Sequence, residues 1–152
     1  AALDAVGDGG NVLDEVDVVA RRWMERFWPG ALTIVAHHQP SLKWDLGDAR
    51  GTVAVRMPLH PVAIELLVET GPMAVSSANR SGSPPATTVA DAENQLGESV
   101  AIYLDGGPSR SGVPSTILDA TGSTPRVLRV GSISLDTLHT YNNTIEPPED
   151  LA

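Results

Sequence analysis

The chain contains no cysteine, which excludes disulfide staples, thiolate metal sites and cysteine nucleophiles together, and argues against a small stapled secreted scaffold. Lysine is almost missing as well: Lys43 is the single lysine among ten basic residues. Phe, Trp and Tyr make up only 4% of the chain, so it has few rings on which nucleic-acid bases could stack. No apolar run approaches the ~20 residues needed to cross a bilayer, and the first residues lack the basic and apolar regions of a signal peptide. Positive charge is in deficit: ten Lys and Arg against nineteen Asp and Glu give a net charge of -9, which argues against non-specific adhesion to nucleic acid or to an anionic membrane. A cytoplasmic protein is the expectation these absences leave.

What is present suits a folded domain. With 152 residues, 41% hydrophobic and 19% charged, the composition is that of a globular chain able to bury roughly two thirds of its unfolded surface. The charge is unevenly spread. Residues 1 to 20 hold five acids and no base, whereas residues 21 to 60 hold six bases and three acids, so basic side chains gather within an otherwise acidic molecule. Most are expected on the solvated surface, with a minority available to line an anion site.

Apolar periodicity sets out the elements. Val16, Val19, Ala20, Trp23 and Phe27 recur at three and four, predicting a helix over 16–28 that ends at Pro29-Gly30. Leu32 to Ala36 reads as a strand, and so does Gly51 to Met57, where Thr52 and Arg56 share one face and Val53 and Val55 the other. His60-Pro61 opens a helix that stops at Gly71. Met73 to Ser76 reads as a short strand that enters a loop of small and hydroxyl residues. Thr88 with Asp91 predicts a capped helix ending at Gly97. Val100 to Leu104, Ser115 to Leu118 and Val127 to Val130 read as strands, and Leu135 to His139 as a short helix. The result is an α/β fold with a mixed sheet. A single domain is expected over residues 1–140, and residues 141–152 are expected to form a mobile acidic tail.

Four places offer polar groups that chemistry could use. An arginine facing inward at Arg56, beside Thr52, must pair with a carboxylate or bind an anion unless it is exposed. Ser76-Ser77-Ala78-Asn79 turns a strand end through hydroxyl and amide groups, either as a cradle for phosphate or carboxylate oxygens or as ordinary turn capping. The small residues from Gly106 to Ser109 and on to Ser115-Thr116 permit close approach to a ligand or make a flexible loop. Arg129 stands opposite Leu128 and Val130 in the alternation, free to face a cleft. No Walker loop, dinucleotide fingerprint or nucleophile elbow is present. His37 and His38 point to opposite faces of a strand end, so no metal site is expected.

Taken in order, Phe27-Trp28-Pro29-Gly30-Ala31-Leu32-Thr33, Thr52-Val53-Ala54-Val55-Arg56-Met57-Pro58 with His60-Pro61, Ser77-Ala78-Asn79 with Ser81-Gly82, Ser115-Thr116-Ile117-Leu118-Asp119 and Leu128-Arg129-Val130-Gly131 resemble the YrdC-like threonylcarbamoyl-AMP synthase family. The resemblance runs from about Trp23 to Gly131. It implies a twisted mixed sheet with flanking helices around a deep, positively lined cavity. It also implies an enzyme that condenses L-threonine, bicarbonate and ATP, with Mg²⁺, into threonylcarbamoyl-adenylate and pyrophosphate. Separate transferase proteins would then pass the product to the tRNA adenosine beside the anticodon, with no direct tRNA binding expected of this chain. By the same resemblance Thr52, Ser77, Asn79 and Arg129 would bind ATP, and Arg56 and Ser115 would bind threonine. Alternatives are an RNA-binding module of the same fold, or a carbamoyl-adenylate domain within a larger enzyme.

The chain departs from the family pattern in three places. Pro114 stands where Glu is usual before Ser-Thr, and Pro84-Pro85 stand where a serine often follows Ser-Gly. The family's N-terminal Pro-Thr-Asp-Thr-x-Tyr-Gly strand and Lys-x-Arg motif have no counterpart, so the catalytic group stays unassigned. The expectation is a chain lacking its N-terminal portion and inactive as a fragment.

Overall fold

The computed structural model describes residues 18–41, 43, 49–109 and 112–151. The chain divides into two compact units, one made of Ala1–Pro72 with Val113–Ala152 and the other of Met73–Gly112.

In the first unit, helix α1 (Val18–Phe27) is followed by strands β1 (Leu32–His37) and β2 (Thr52–Val55) and helix α2 (Pro61–Thr70). After the second unit the chain returns as β3 (Thr116–Asp119), β4 (Arg126–Arg129) and a helix at Leu135–Tyr141. The four strands form one sheet in the order β2-β1-β3-β4. β1 runs antiparallel to β2 and parallel to β3, while β3 and β4 are antiparallel, so the sheet is mixed as the sequence predicts.

Register divides the sheet into two faces, because partners in register point the same way. Leu32, Ile34, Ala36, Val53, Leu118 and Val127 are buried on one face, against Ala20, Trp23 and Met24 of α1. Trp23 also stacks with Phe27 at 5.6 Å and meets Tyr141 edge-on at 4.7 Å, fixing the C-terminal helix on the same side. The other face carries Thr33, Val35 and His37 of β1, Thr52 and Ala54 of β2, and Ile117 and Asp119 of β3, the pairs Val35↔Ala54, His37↔Thr52 and Thr33↔Ile117 being in register. It is the polar face.

The links between elements follow local chemistry. Trp28-Pro29 is cis, and Gly30 is required because a Cβ there would stand 2.5 Å from the Phe27 carbonyl oxygen. Pro61 begins α2, and Gly71 ends it at φ 73°, a conformation that favours glycine. The Ser134 hydroxyl accepts from the Thr137 backbone N–H at 3.2 Å and caps the last helix. The stretch expected as a mobile acidic tail follows that helix. Ile145 is buried in the core, Glu146 exchanges backbone hydrogen bonds with Pro125 and Val127, and the Arg126 guanidinium pairs with the Glu146 and Glu149 carboxylates.

The second unit is built on α3 (Val89–Leu96). The Thr88 hydroxyl accepts from the Asp91 N–H at 3.1 Å, and the helix ends at Gly97, φ 50°, as the sequence predicts. Two expected strands are absent. Neither Met73–Ser76 nor Val100–Leu104 joins a ladder among the described residues, and Val75 and Ile102 stand 87% and 74% exposed. Both segments have strand composition but, among the described residues, no strand pairs with them to complete the hydrogen bonds.

Candidate functional site

Three of the residues singled out from sequence lie at one end of the first unit's sheet. β3 begins and β2 and β4 end where β1 begins, so Ser115, Arg56 and Arg129 lie at the same sheet end. All three belong to the polar face. Arg129 is there because of an irregularity that sequence alternation misses: Leu118 pairs with Val127 but Ile117 pairs with Arg129, leaving Leu128 as an extra, bulged residue. On a regular strand Arg129 would follow Val127 into the core. The bulge turns it to the face of Ile117 and Ser115 instead.

Ser115 is the fixed point of the cluster. It is buried, and its carbonyl oxygen accepts from Arg129 Nε at 3.1 Å and Nη2 at 2.8 Å. Its hydroxyl lies 3.3 Å from Arg129 Nη2 and 2.7 Å from the Thr33 hydroxyl. The Thr116 hydroxyl donates to the Ile133 carbonyl and accepts from the Gly131 and Ile133 N–H groups, which locks the next residue as well. Gly131 has to be glycine: a Cβ there would lie 2.3 Å from the Pro114 oxygen and 2.6 Å from the Ser115 carbonyl.

Arg56 Nε donates to the Gly30 carbonyl at 2.8 Å, leaving both Nη groups to act on a ligand. The residue is exposed as a whole, yet desolvation of its guanidinium lowers the pKa from the ordinary arginine value, which still leaves it charged at neutral pH. Among the described residues neither Arg56 nor Arg129 forms an ion pair, whereas Arg126, further along the sheet, forms two. The end of the polar face that holds Ser115 therefore carries two uncompensated guanidinium groups beside hydroxyl donors. That set suits a carboxylate or phosphate. Arg129 has committed Nε and Nη2 to Ser115, so Nη1 is what it can offer.

Thr52 shares the face but not the end. It pairs with His37, about 13 Å along the strand from Arg56 at four residues' separation. Its hydroxyl proton is committed to the Ala49 carbonyl at 2.7 Å, so toward a ligand it can only accept.

Ser77 and Asn79 belong to the second unit. Ser77 is exposed, with its carbonyl accepting from the Asn79 N–H at 3.1 Å. Asn79 Nδ2 donates to the Arg80 and Ser83 carbonyls at 2.9 and 3.0 Å, while Oδ1 is buried with no partner. A buried acceptor left over this way is matched by a donor, so Asn79 suits a hydroxyl or amine of a ligand better than a phosphate oxygen. Gln95, unremarked in the sequence, holds the loop to α3: it accepts from the Arg80 N–H, donates to the Pro84 carbonyl, and its own carbonyl accepts from Arg80 Nε. Thr33 was also missed as a site residue, although it closes the first of the quoted motifs.

A mixed sheet with one apolar face on helices and an arginine-hydroxyl group at one end of the other face is an α/β arrangement. Residues 3–131 match the family model Sua5_yciO_yrdC, described as "Telomere recombination", and the chain belongs to that family. A Mycobacterium tuberculosis protein provisionally named threonylcarbamoyl-AMP synthase is 61% identical over 119 residues, covering 78% of this chain and 55% of its own length. The Bacillus subtilis threonylcarbamoyl-AMP synthase is 38% identical over 135 residues, covering 88% of this chain and 39% of its own. The structure of Pyrococcus abyssi Sua5 complexed with L-threonine matches with a TM-score of 0.83 at 33% identity, covering 90% of this chain and 40% of that one. This chain thus spans about half or less of the length of these relatives.

Proposed function

We propose that this chain is part of an L-threonylcarbamoyladenylate synthase, a nucleotidyltransferase acting on L-threonine, bicarbonate and ATP. The observation that carries the reading is the Arg56, Ser115 and Arg129 cluster at one end of the polar face, in a chain whose relatives are named for that activity. In the reaction the threonine amine bonds to the bicarbonate carbon with loss of a water molecule to give a carbamate, whose oxygen attacks the α-phosphorus of ATP as the bond to the β-phosphate oxygen breaks and pyrophosphate leaves.

Arg56 would hold the carboxylate of threonine or of its carbamate through its two free Nη groups, and Ser115 would contact the threonine moiety. Arg129 would bind ATP through Nη1 while keeping Ser115 in place. Fixed donors of this kind stabilise charge developing on the α-phosphate without having to reorganise. Ser77 would contribute a hydroxyl to the nucleotide, Asn79 an acceptor, and Thr52 a further acceptor. The deep cavity implied by the family resemblance belongs to the same proposal. Mg²⁺ would accompany the ATP and neutralise charge on the leaving pyrophosphate. No helix among the described residues is long and apolar enough to cross a membrane. A cytoplasmic location fits a product destined for a tRNA-modifying transferase.

The test is pyrophosphate release by the full-length protein with each substrate omitted in turn. The reading expects release only when threonine, bicarbonate and ATP are all present, and release without threonine would refute it.

A further inference from the structure

We infer that Thr33 is a positioning residue of the threonine subsite, acting through Ser115; the inference rests on the synthase reading above. The two hydroxyl oxygens lie 2.7 Å apart although 82 residues separate them in sequence. They meet because β1 and β3 are parallel neighbours: Thr33 pairs in register with Ile117, and Ser115 stands two residues before it on the same face. Carrying the β1–β2 register one step beyond Ile34↔Val55 sets Arg56 beside Thr33 on its other flank. Thr33 thus stands between the arginine and the serine assigned to threonine.

A serine hydroxyl has one proton and two lone pairs. Arg129 Nη2, at 3.3 Å, supplies a donor to one lone pair of Ser115. Either hydroxyl can donate across the 2.7 Å contact; with Thr33 as the donor it would fill the other lone pair and leave the Ser115 proton to be offered to a ligand. In that state Ser115 donates to an acceptor oxygen on threonine and discriminates against a group that can only donate. Without the Thr33 hydroxyl, the Ser115 Oγ keeps one lone pair unfilled and its proton loses its fixed direction. Ser115 is buried, so water does not freely replace the lost partner.

The experiment compares Thr33→Val, which keeps the shape and removes the hydroxyl, and Thr33→Ser, which keeps the hydroxyl, in steady-state pyrophosphate release by the full-length protein. The Val variant is expected to raise the threonine KM on the order of fivefold to tenfold, with the ATP KM and kcat within about twofold of wild type. The Ser variant is expected to restore the wild-type threonine KM. In a Ser115→Ala background the Val change is expected to add nothing, since its effect passes through Ser115. An unchanged threonine KM in Thr33→Val alongside a raised one in Ser115→Ala overturns the inference and leaves the synthase reading intact. Equal rises in the threonine and ATP KM values overturn it too, as they would mark a general structural role. Wild-type release that ignores threonine removes the synthase reading itself. Should the Val variant fail to fold, Thr33→Cys, of similar size with a weak donor, carries the same test with the same expected split between KM values.

Discussion

Replacing Gly131 with alanine puts a methyl group where the chain has no space for it. The new Cβ would stand 2.3 Å from the Pro114 oxygen and 2.6 Å from the Ser115 carbonyl carbon and oxygen, whereas ordinary contact begins at 3.4 Å. The Pro114–Ser115 backbone would have to retreat by about 1.1 Å. That backbone is where Ser132 N–H meets the Pro114 oxygen at 2.9 Å and where Arg129 grips the Ser115 oxygen, so the retreat breaks the contacts that place Ser115 and Arg129. Overpacking of this kind costs about 1–3 kcal/mol, and for a chain of this size each kcal/mol lowers Tm by about 2–4 °C. Displacement of binding groups by about 1 Å costs on the order of 100-fold in rate. Gly122 is the control, because a Cβ there meets only the Thr124 oxygen at 3.7 Å, and Gly122→Ala is expected to be neutral within about 0.5 kcal/mol. Thermal melting followed by circular dichroism and threonine-dependent pyrophosphate release measure both effects. A Gly131→Ala variant that matched Gly122→Ala in Tm and in kcat/KM would refute the reasoning.

Trp23→Ala, which empties the fully buried centre of the first unit's core, is expected to cost about 3–5 kcal/mol, read as a lowered urea midpoint with unchanged slope. Arg56→Lys loses both the planar fork and the tie to Gly30, so the threonine KM is expected to rise about tenfold or more with little change in Tm. The hydrogen bond and charge of Glu146 raise the Arg126 pKa, so its contribution to stability is fully present below the ordinary arginine pKa and is lost only as the pH climbs through the raised value. Arg126→Gln should therefore leave the shape of the stability curve between about pH 6 and pH 9 unchanged, as pH-dependent melts would reveal.

The elements legible in the sequence are those whose determinants are local. Pro61 and Gly71 bound α2, and Thr88, Asp91 and Gly97 bound α3, because caps and positive-φ stops act within a turn. The strands at 32, 52, 116 and 126 were legible because alternation and partners agree. Met73–Ser76 and Val100–Leu104 carry the same local signal, yet a strand exists only where another completes its ladder, and that is a non-local fact. Ile145 is a similar case: a lone apolar residue among acids and prolines reads as tail, yet it packs into the core beside Glu146, which pairs with Arg126. At the site, Arg56 and Ser115 were found as residue types in motifs. The role of Arg129 depends on a bulge at Leu128, and that of Thr33 on a contact across 82 residues, neither of which leaves a mark in the local pattern.

The most direct test of the synthase reading is the product itself. Full-length protein incubated with threonine, ATP and ¹³C-bicarbonate, then analysed by mass spectrometry, is predicted to yield threonylcarbamoyl-adenylate heavier by the single labelled carbon. An adenylate that forms without the label, or that forms equally when threonine is withheld, would contradict it.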